Sequence, residues 1–526
     1  MPAAPNRLYR QAMSWISALA APSARAFLAL TVGLTALRLA AIWASPVELG
    51  PDEAQYWGWG QTLALGYFSK PPLVGWSIAG STALLGESEA AIRTLAPLLH
   101  ALTALLVFSL AWVMGHPKAA GAAGLIYLLM PAVTLSSAVI STDALLMPAL
   151  TLGMIALWRF RQTGGWGWAC LWGAALACGF LAKYAAFYAL LGTALAVAVD
   201  KPLRARALRP AALAGPAILG ALLAPHVIWN AANSFAPVAH LADNANWSVG
   251  DLVNPDALAE FALEQLGVFG PVAFACLIAL ALHRRWRAGS GAAEAARFLA
   301  CFILPPLIIV GAQAFLARAN ANWAAAAYPA ASVLVAVWAT SRARLWPLAA
   351  NAALNGAIAA LFAALIVSPA LADALGLSNA FKRARGWDAT AEAIAHQAAA
   401  CDCAGVVVDN RLLFHALSYY GDAGYAGGPA RLDGAPVFMW KRFSETVSHA
   451  EAVAGLPAGA EGPFLLASLT PGNNSWFQAD FRVKTQAGAA TIPLGGGRVR
   501  TVVFYRVEGY APASRAVAAP ADAVER

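Results

Sequence analysis

Apolar runs of about 17 to 23 residues, each long enough to cross ~30 Å of hydrocarbon, recur along the chain near residues 27–44, 93–115, 119–140, 144–160, 166–182, 184–199, 211–229, 267–282, 298–316, 323–339 and 346–367. They predict about eleven transmembrane helices. From about Ala370 the pattern changes. Apolar stretches shorten to strand length at Val406–Val408, Phe464–Ala467 and Val499–Tyr505, and Gly, Pro, Asn and Asp punctuate them. This predicts a small α/β domain with a helix over Asp388–Ala400 and roughly four or five strands. The expected organisation is a membrane part over 1–368 with an outer loop at 46–92, an α/β domain over 369–515, and an Ala- and Pro-rich tail over 516–526 expected to be disordered.

Composition agrees with the pattern. Of 526 residues, 60% are hydrophobic and 12% charged, with mean hydropathy +0.61, which excludes an ordinary soluble protein and gives a polytopic α-helical membrane protein. The net charge of +8 does not imply nucleic acid, because the basic residues lie in short loops between apolar runs and not on a soluble face. Arg7, Arg10 and Arg25 precede the first run, yet no small-residue cleavage site leads into a long soluble stretch, so the first run reads as an uncleaved span.

The charges orient the chain. With the N-terminus inside, the inner connections carry Lys118, Arg159, Arg161, Lys201, Arg204, Arg206, Arg209, Arg284, Arg285, Arg287, Arg297, Arg342 and Arg344, as the positive-inside rule requires. The outer connections carry only Lys70, Arg93, Lys183 and Arg318. The unusual polar residues then gather on the outer face, and an odd number of spans sends the C-terminal domain to that side. Of six cysteines, Cys170, Cys178, Cys276 and Cys301 fall in apolar runs, while Cys401 and Cys403 are too close in sequence for a comfortable disulfide and lack partners for zinc.

The candidate chemistry begins just beyond the first span, with Gly50-Pro51-Asp52-Glu53-Ala54-Gln55-Tyr56-Trp57. Pro51 suits the first turn of a helix and acids favour a helix N-terminus, so Asp52 and Glu53 either simply open a surface helix or serve a site. Tyr56, Trp57, Trp59 and Leu63 give that helix a membrane-hugging character. Adjacent helical residues point about 100° apart, so the two acids do not both face one small site. One acts while the other binds. Asp143 in Ser141-Thr142-Asp143 reads as a turn cap or as a site acid. Lys183, beside Tyr184 between nearly uncharged spans, reads as a snorkelling lysine or as a functional cation. Arg38 within the first span invites the same question, either pairing with an intramembrane acid or reaching a lipid phosphate. His226, Asn230, His240, Asp243 and Asn246 form a polar set for a headgroup without metal-ligand spacing.

These residues resemble a family. The run from Asp52 to Trp57, Gly66-Tyr67-Phe68-Ser69-Lys70-Pro71-Pro72-Leu73, Thr142-Asp143, and Gly179-Phe180-Leu181-Ala182-Lys183-Tyr184 are similar to the GT-C membrane glycosyltransferases of the protein O-mannosyltransferase-like superfamily. That superfamily includes the lipid A aminoarabinose transferases and bacterial lipopolysaccharide-core transferases. The resemblance covers roughly 25–345 and is strongest over 50–185. It implies a polyprenyl-phosphate sugar donor, transfer with inversion at the anomeric carbon, an envelope glycolipid, glycan or protein as acceptor, and residence in the bacterial inner membrane with the site and C-terminal domain facing the periplasm.

Residue by residue, the resemblance makes Asp52 the acid that activates the acceptor and Glu53 the acid beside it. Lys70 and Lys183, with Arg38, are cations for donor phosphate. Tyr56, Tyr67, Asp143, Tyr184, His240 and Asn322 are candidate substrate-binding residues, and Asn322-Trp323, followed by Tyr328, is similar to an outer-loop motif of the bacterial subgroup. Ser69 stands where the aminoarabinose enzymes have a glutamate able to ligand zinc, so no metal and no other cofactor is expected. Such a donor is already activated, and the enzyme's task is placement, with a carboxylate taking the acceptor proton and cations offsetting charge on the departing phosphate. A non-catalytic binder of lipid-linked sugar keeps the same fold. A secondary transporter would show repeated halves, and no internal repeat is visible.

Overall fold

The computed structural model describes residues 22–235, 237, 253–282, 291–317, 319–421 and 431–515. Among them seven helices are long and apolar enough to cross a membrane: Ala24–Trp43, Glu89–Val113, Thr142–Thr163, Pro210–Ala232, Ala292–Leu316, Ala321–Ser341 and Trp346–Val367. Tyr184–Val199 and Lys201–Ala207, bent by 107°, add an eighth if taken as one span. The bend follows from sequence. Asp200 is extended and caps the second helix by accepting from the Leu203 amide at 2.8 Å, and Pro202 sits in that helix's first turn.

The expected runs at 166–182 and 267–282 are met by shorter apolar helices, Trp166–Ala182 and Pro271–Leu282, and a third short one, Leu73–Leu85, lies inside the outer loop. The run expected as one span at 119–140 is two helices, Pro117–Leu128 and Pro131–Ser136. Pro131 is the reason: it offers no amide to the preceding turn and pushes Met130 into the extended region at ψ 132°.

The chain divides into two compact units. One comprises 1–40, 96–225 and 251–363; the other comprises 41–95, 226–250 and 364–526. In the first unit, small residues let helices approach closely. A Cβ at Gly173 would lie 2.2 Å from the carbonyl oxygen of Gly215, so this crossing of two apolar helices admits no larger side chain. Phe27 stacks on Phe108 at 5.1 Å and Phe269 on Tyr328 at 4.4 Å.

The second unit groups the outer loop with the C-terminal domain. Its sheet has six strands: β1 Val406–Val408, β2 Arg431–Leu432, β3 Ala435–Met439, β4 Phe464–Ser468, β5 Phe481–Gly495 and β6 Arg498–Tyr510, in the order β2-β3-β1-β4-β6-β5. β3, β1 and β4 are parallel neighbours and the other pairings antiparallel. β1 and β4 are buried throughout, as central parallel strands must be when both faces are covered. The predicted helix appears as Trp387–Cys401. β5 exceeds expectation because its middle, 485–491, consists of Thr, Gln, Ala and Gly and is mostly exposed, which leaves no apolar alternation to read. Contrary to the sequence expectation, Cys401 and Cys403 are joined. Asp402 between them turns left-handed at φ 49° and brings their Cα atoms to 5.3 Å. The tail at 516–526 lies outside the described residues.

Candidate functional site

The acidic pair opens the helix Pro51–Gly60, with Pro51 in its first position and Glu53 three residues beyond the extended Gly50. Glu53 accepts from the Gly50 amide at 2.9 Å, capping its own helix. It also takes Arg93 bidentately, with Nε at 2.9 Å and a terminal nitrogen at 2.7 Å. Arg93 spends its other donors on the Val47 and Glu48 carbonyls, each at 2.7 Å. Both side chains are almost wholly buried. Asp52, one step around the helix, points out with 69% of its side chain exposed, and Arg411 Nη1 stands 3.9 Å from its Oδ1.

The loop around this helix is locked by aromatics. Tyr67 stacks on Trp59 at 4.9 Å and donates its hydroxyl to the Trp59 carbonyl at 2.7 Å, and burial pushes its phenol up to about 12. Tyr56 lies 5.2 Å from Trp59 and is buried. Lys70 is partly exposed, its carbonyl accepting from the Tyr67 amide at 3.0 Å. The helix Arg411–Tyr420 holds this loop from the other side. Tyr420 accepts from the Leu49 amide at 2.7 Å and donates to Glu89 at 3.2 Å, and Tyr419 meets Trp57 edge-on at 5.0 Å. His226 bonds the Leu65 carbonyl at 2.7 Å, and Trp229 fills the space a Cβ at Gly66 would need. His449 meets Trp59 edge-on at 5.7 Å and stacks with His415 at 6.0 Å. Burial pushes His449 down to about 4, and burial and then the neighbouring His449 and Arg411 charges hold His415 well below the ordinary imidazole value.

A second cluster belongs to the first unit. Lys183 occupies the extended break where Trp166–Ala182 ends and a short turn at Tyr184 begins. Its ammonium donates to Asp143 Oδ1 at 2.7 Å, while Asn322 donates to the other oxygen at 3.4 Å. Lys183 and Asp143 are about one fifth exposed. Each is supported from behind. Asp143 lies in the first turn of Thr142–Thr163, preceded by Ser141, which meets Ser136 at 3.2 Å; Ser136 meets buried His100 at 2.9 Å, and His100 meets Tyr127 at 2.8 Å. Asn322 rides on the 3-10 segment Ala321–Ala327, whose first carbonyl accepts from Gln265 at 3.2 Å; Tyr328 donates to Gln265 at 2.5 Å. Tyr184 is half-buried next to Lys183.

The remaining predicted residues fall apart from these clusters. Arg38 is buried and donates to the Leu128 carbonyl at 2.7 Å and to Thr134 at 3.3 Å. Leu128 is where the Pro131 break leaves a helix end, so the guanidinium satisfies a carbonyl with no helical partner. The sequence reading offered an intramembrane acid or a lipid phosphate for Arg38; its partners here are a carbonyl and a hydroxyl. His240, with Asp243 and Asn246, lies outside the described residues. Among the described residues no three His, Cys, Asp or Glu side chains gather to hold a metal. Sequence reasoning missed Arg411, Gln265 and the partnership of Arg93 with Glu53, because their partners lie far away along the chain and no spacing announces them.

With this geometry in view, three comparisons bear on the chain. Residues 69–229 match the family described as dolichyl-phosphate-mannose-protein mannosyltransferase. The chain is 33% identical over 421 residues to the lipid A galacturonosyltransferase RgtD of Rhizobium johnstonii, covering 78% of this chain and 86% of that protein. Its fold is similar to ArnT from Cupriavidus metallidurans. For the apo crystal structure the TM-score is 0.62 at 15% identity, over 96% of this chain and all of ArnT. For the structure bound to undecaprenyl phosphate the TM-score is 0.61 at 14% identity, over 93% of this chain and all of ArnT.

Proposed function

From the premise that this chain belongs to the GT-C membrane glycosyltransferases of the ArnT-like superfamily, we propose that it moves a sugar from a polyprenyl-phosphate carrier, with inversion, onto a glycolipid of the lipid A class at the periplasmic face of the bacterial inner membrane. It is a multi-pass membrane glycosyltransferase. The acceptor class is supported by RgtD, which acts on lipid A by its name, and the carrier by ArnT, which is seen with undecaprenyl phosphate. The periplasmic face is supported by the distribution of basic residues between loops.

In the proposed reaction the acceptor hydroxyl oxygen attacks the anomeric carbon, the bond from that carbon to the phosphate oxygen breaks, and a phosphate monoester departs with the bonding pair. Asp52 takes the hydroxyl proton. The observation that carries this assignment is the contrast within one helical turn: Asp52 is open to solvent, whereas Glu53 is committed to Arg93 and to its own helix. Glu53 therefore serves by fixing the carboxylate beside it. Lys183, held by Asp143 and Asn322, is the cation for the departing phosphate. Tyr184, half-buried beside Lys183, is the aromatic for the donor, and the domain over 369–515 selects the acceptor.

The test is Asp52→Asn in protein reconstituted in nanodiscs, supplied with a polyprenyl-phosphate sugar and lipid A. Loss of a general base lowers the rate by about 10²- to 10⁴-fold. Transfer at the unsubstituted rate rejects Asp52 as the base.

A further inference from the structure

The sheet of the second unit reverses its winding at β1. From β1 the chain runs through the helix Arg411–Tyr420 to reach β3 on one side, and it returns through the helix His449–Ala454 to reach β4 on the other. Open sheets present their functional crevice outside the carboxyl ends of the strands at such a reversal. Three polar residues leave β1 at that end. Asp409 is buried and accepts from Ser468 at 2.6 Å, the Leu469 amide at 3.1 Å and Asn473 at 3.2 Å. Asn410 caps the following helix by accepting from the Leu412 amide at 2.8 Å. Arg411 alone of the three extends outward, 45% exposed, and reaches Asp52.

We infer that Arg411 is a positioning residue for the transfer reaction, by which the C-terminal domain orients the Asp52 carboxylate toward the acceptor hydroxyl. The inference rests on the reading of Asp52 as base. Its geometric support is that the ion pair is not what holds the two helices together. Tyr420 bound to the Leu49 amide and Tyr419 against Trp57 fix the helix of Arg411 to the helix of Asp52 independently, so residue 411 is brought to residue 52 by the fold. An exposed ion pair contributes little to stability, so its presence at the carboxyl end of β1 is explained by orientation and not by stability. A carboxylate 69% exposed has several rotamers available, and a positive charge 3.9 Å away on one side favours those that face it.

The experiment measures kcat and the KM of each substrate for full-length Arg411→Ala, Arg411→Lys, Asp52→Asn and the double variant Asp52→Asn/Arg411→Ala, with Arg482→Ala as a control that removes an exposed charge paired to Glu461. Arg411→Ala is expected to lower kcat about tenfold with both KM values and the unfolding temperature unchanged, Arg411→Lys to recover most of it, and the double variant to be no slower than Asp52→Asn alone, since a residue acting through Asp52 has nothing to orient once the base is gone. Arg482→Ala is expected to match the unsubstituted protein. If Asp52→Asn is inactive while Arg411→Ala is unchanged, the inference fails and the base assignment stands. A slower double variant, a raised KM or a lowered unfolding temperature also overturns it. An active Asp52→Asn, or no transfer by the unsubstituted protein, rejects the base reading and this inference with it.

Discussion

Glu53 and Asp143 each meet a cation at 2.7 Å, and the difference between them lies in what surrounds the pair. Glu53 and Arg93 are sealed from water and both terminal nitrogens of the arginine also donate to carbonyls of the same loop. Such a pair carries a large desolvation cost that only complete hydrogen bonding offsets. Lys183 and Asp143 keep about a fifth of their surface open, and an ammonium is a compact point charge with rotatable donors. The first arrangement is architecture, fixing the entry of the Asp52 helix. The second keeps the exposure and the freedom that the proposed exchange of a carboxylate for a phosphate requires. Two ion pairs of equal length thus report different roles, and burial with satisfaction of the remaining donors tells them apart.

The largest expected effect breaks the sealed pair. Arg93→Ala leaves Glu53 as an uncompensated buried charge and is expected to cost about 3–5 kcal/mol, read as a lowered unfolding temperature in detergent, and Arg93→Leu/Glu53→Gln is expected to recover part of it. If Arg93→Ala melts like the unsubstituted protein, the architectural reading is wrong. The open pair is expected to behave oppositely. Lys183→Ala lowers transfer by roughly 10²-fold while unfolding moves little, and Lys183→Arg retains intermediate activity; an unfolding loss as large as that of Arg93→Ala would erase the distinction.

A smaller effect comes from the support behind the open pair. Gln265→Leu strands the Tyr328 hydroxyl and the Ala321 carbonyl, at a cost of about 1–3 kcal/mol, and frees the segment carrying Asn322. Adding Tyr328→Phe removes the stranded hydroxyl and is expected to restore part of the stability but not of the activity.

The smallest effect is on pH dependence. His449 is pushed from 6.5 down to about 4 by burial, and His415 is also lowered. Between about pH 6.5 and 4 the unfolded chain therefore binds more protons than the folded one, so these imidazoles make stability fall as pH falls through that window. Burial raises Glu48 and Glu451, which works in the opposite sense, so the informative measurement is a difference. The pH slope of the unfolding temperature is expected to flatten in His449→Gln relative to the unsubstituted protein. An unchanged slope would remove the imidazoles from the account.

Much of the molecule is determined by the sequence alone. A membrane span is a local property, because every backbone amide and carbonyl in hydrocarbon must be satisfied within its own helix and about twenty apolar residues do so unaided. The apolar runs could be read for that reason, as could the helix at 387–401, the short strands β1 and β4, and the placing of Pro51, Asp52 and Glu53 at a helix start. Even the opposed directions of Asp52 and Glu53 follow from the 100° step between helical neighbours.

Only the tertiary structure decided which acid is exposed. Glu53 is committed because Arg93, forty residues away, is folded back onto it, and Asp52 meets Arg411 because the reversal at β1 brings the carboxyl end of that strand to the loop. The joining of Asp143, Lys183 and Asn322 from three separated segments, the turning of Arg38 onto the Leu128 carbonyl, and the pairing of the long strand β5 with β6 were decided in the same way. Charge partners and strand partners are chosen by packing between distant segments, and one-dimensional periodicity records which face of an element is buried without recording what covers it.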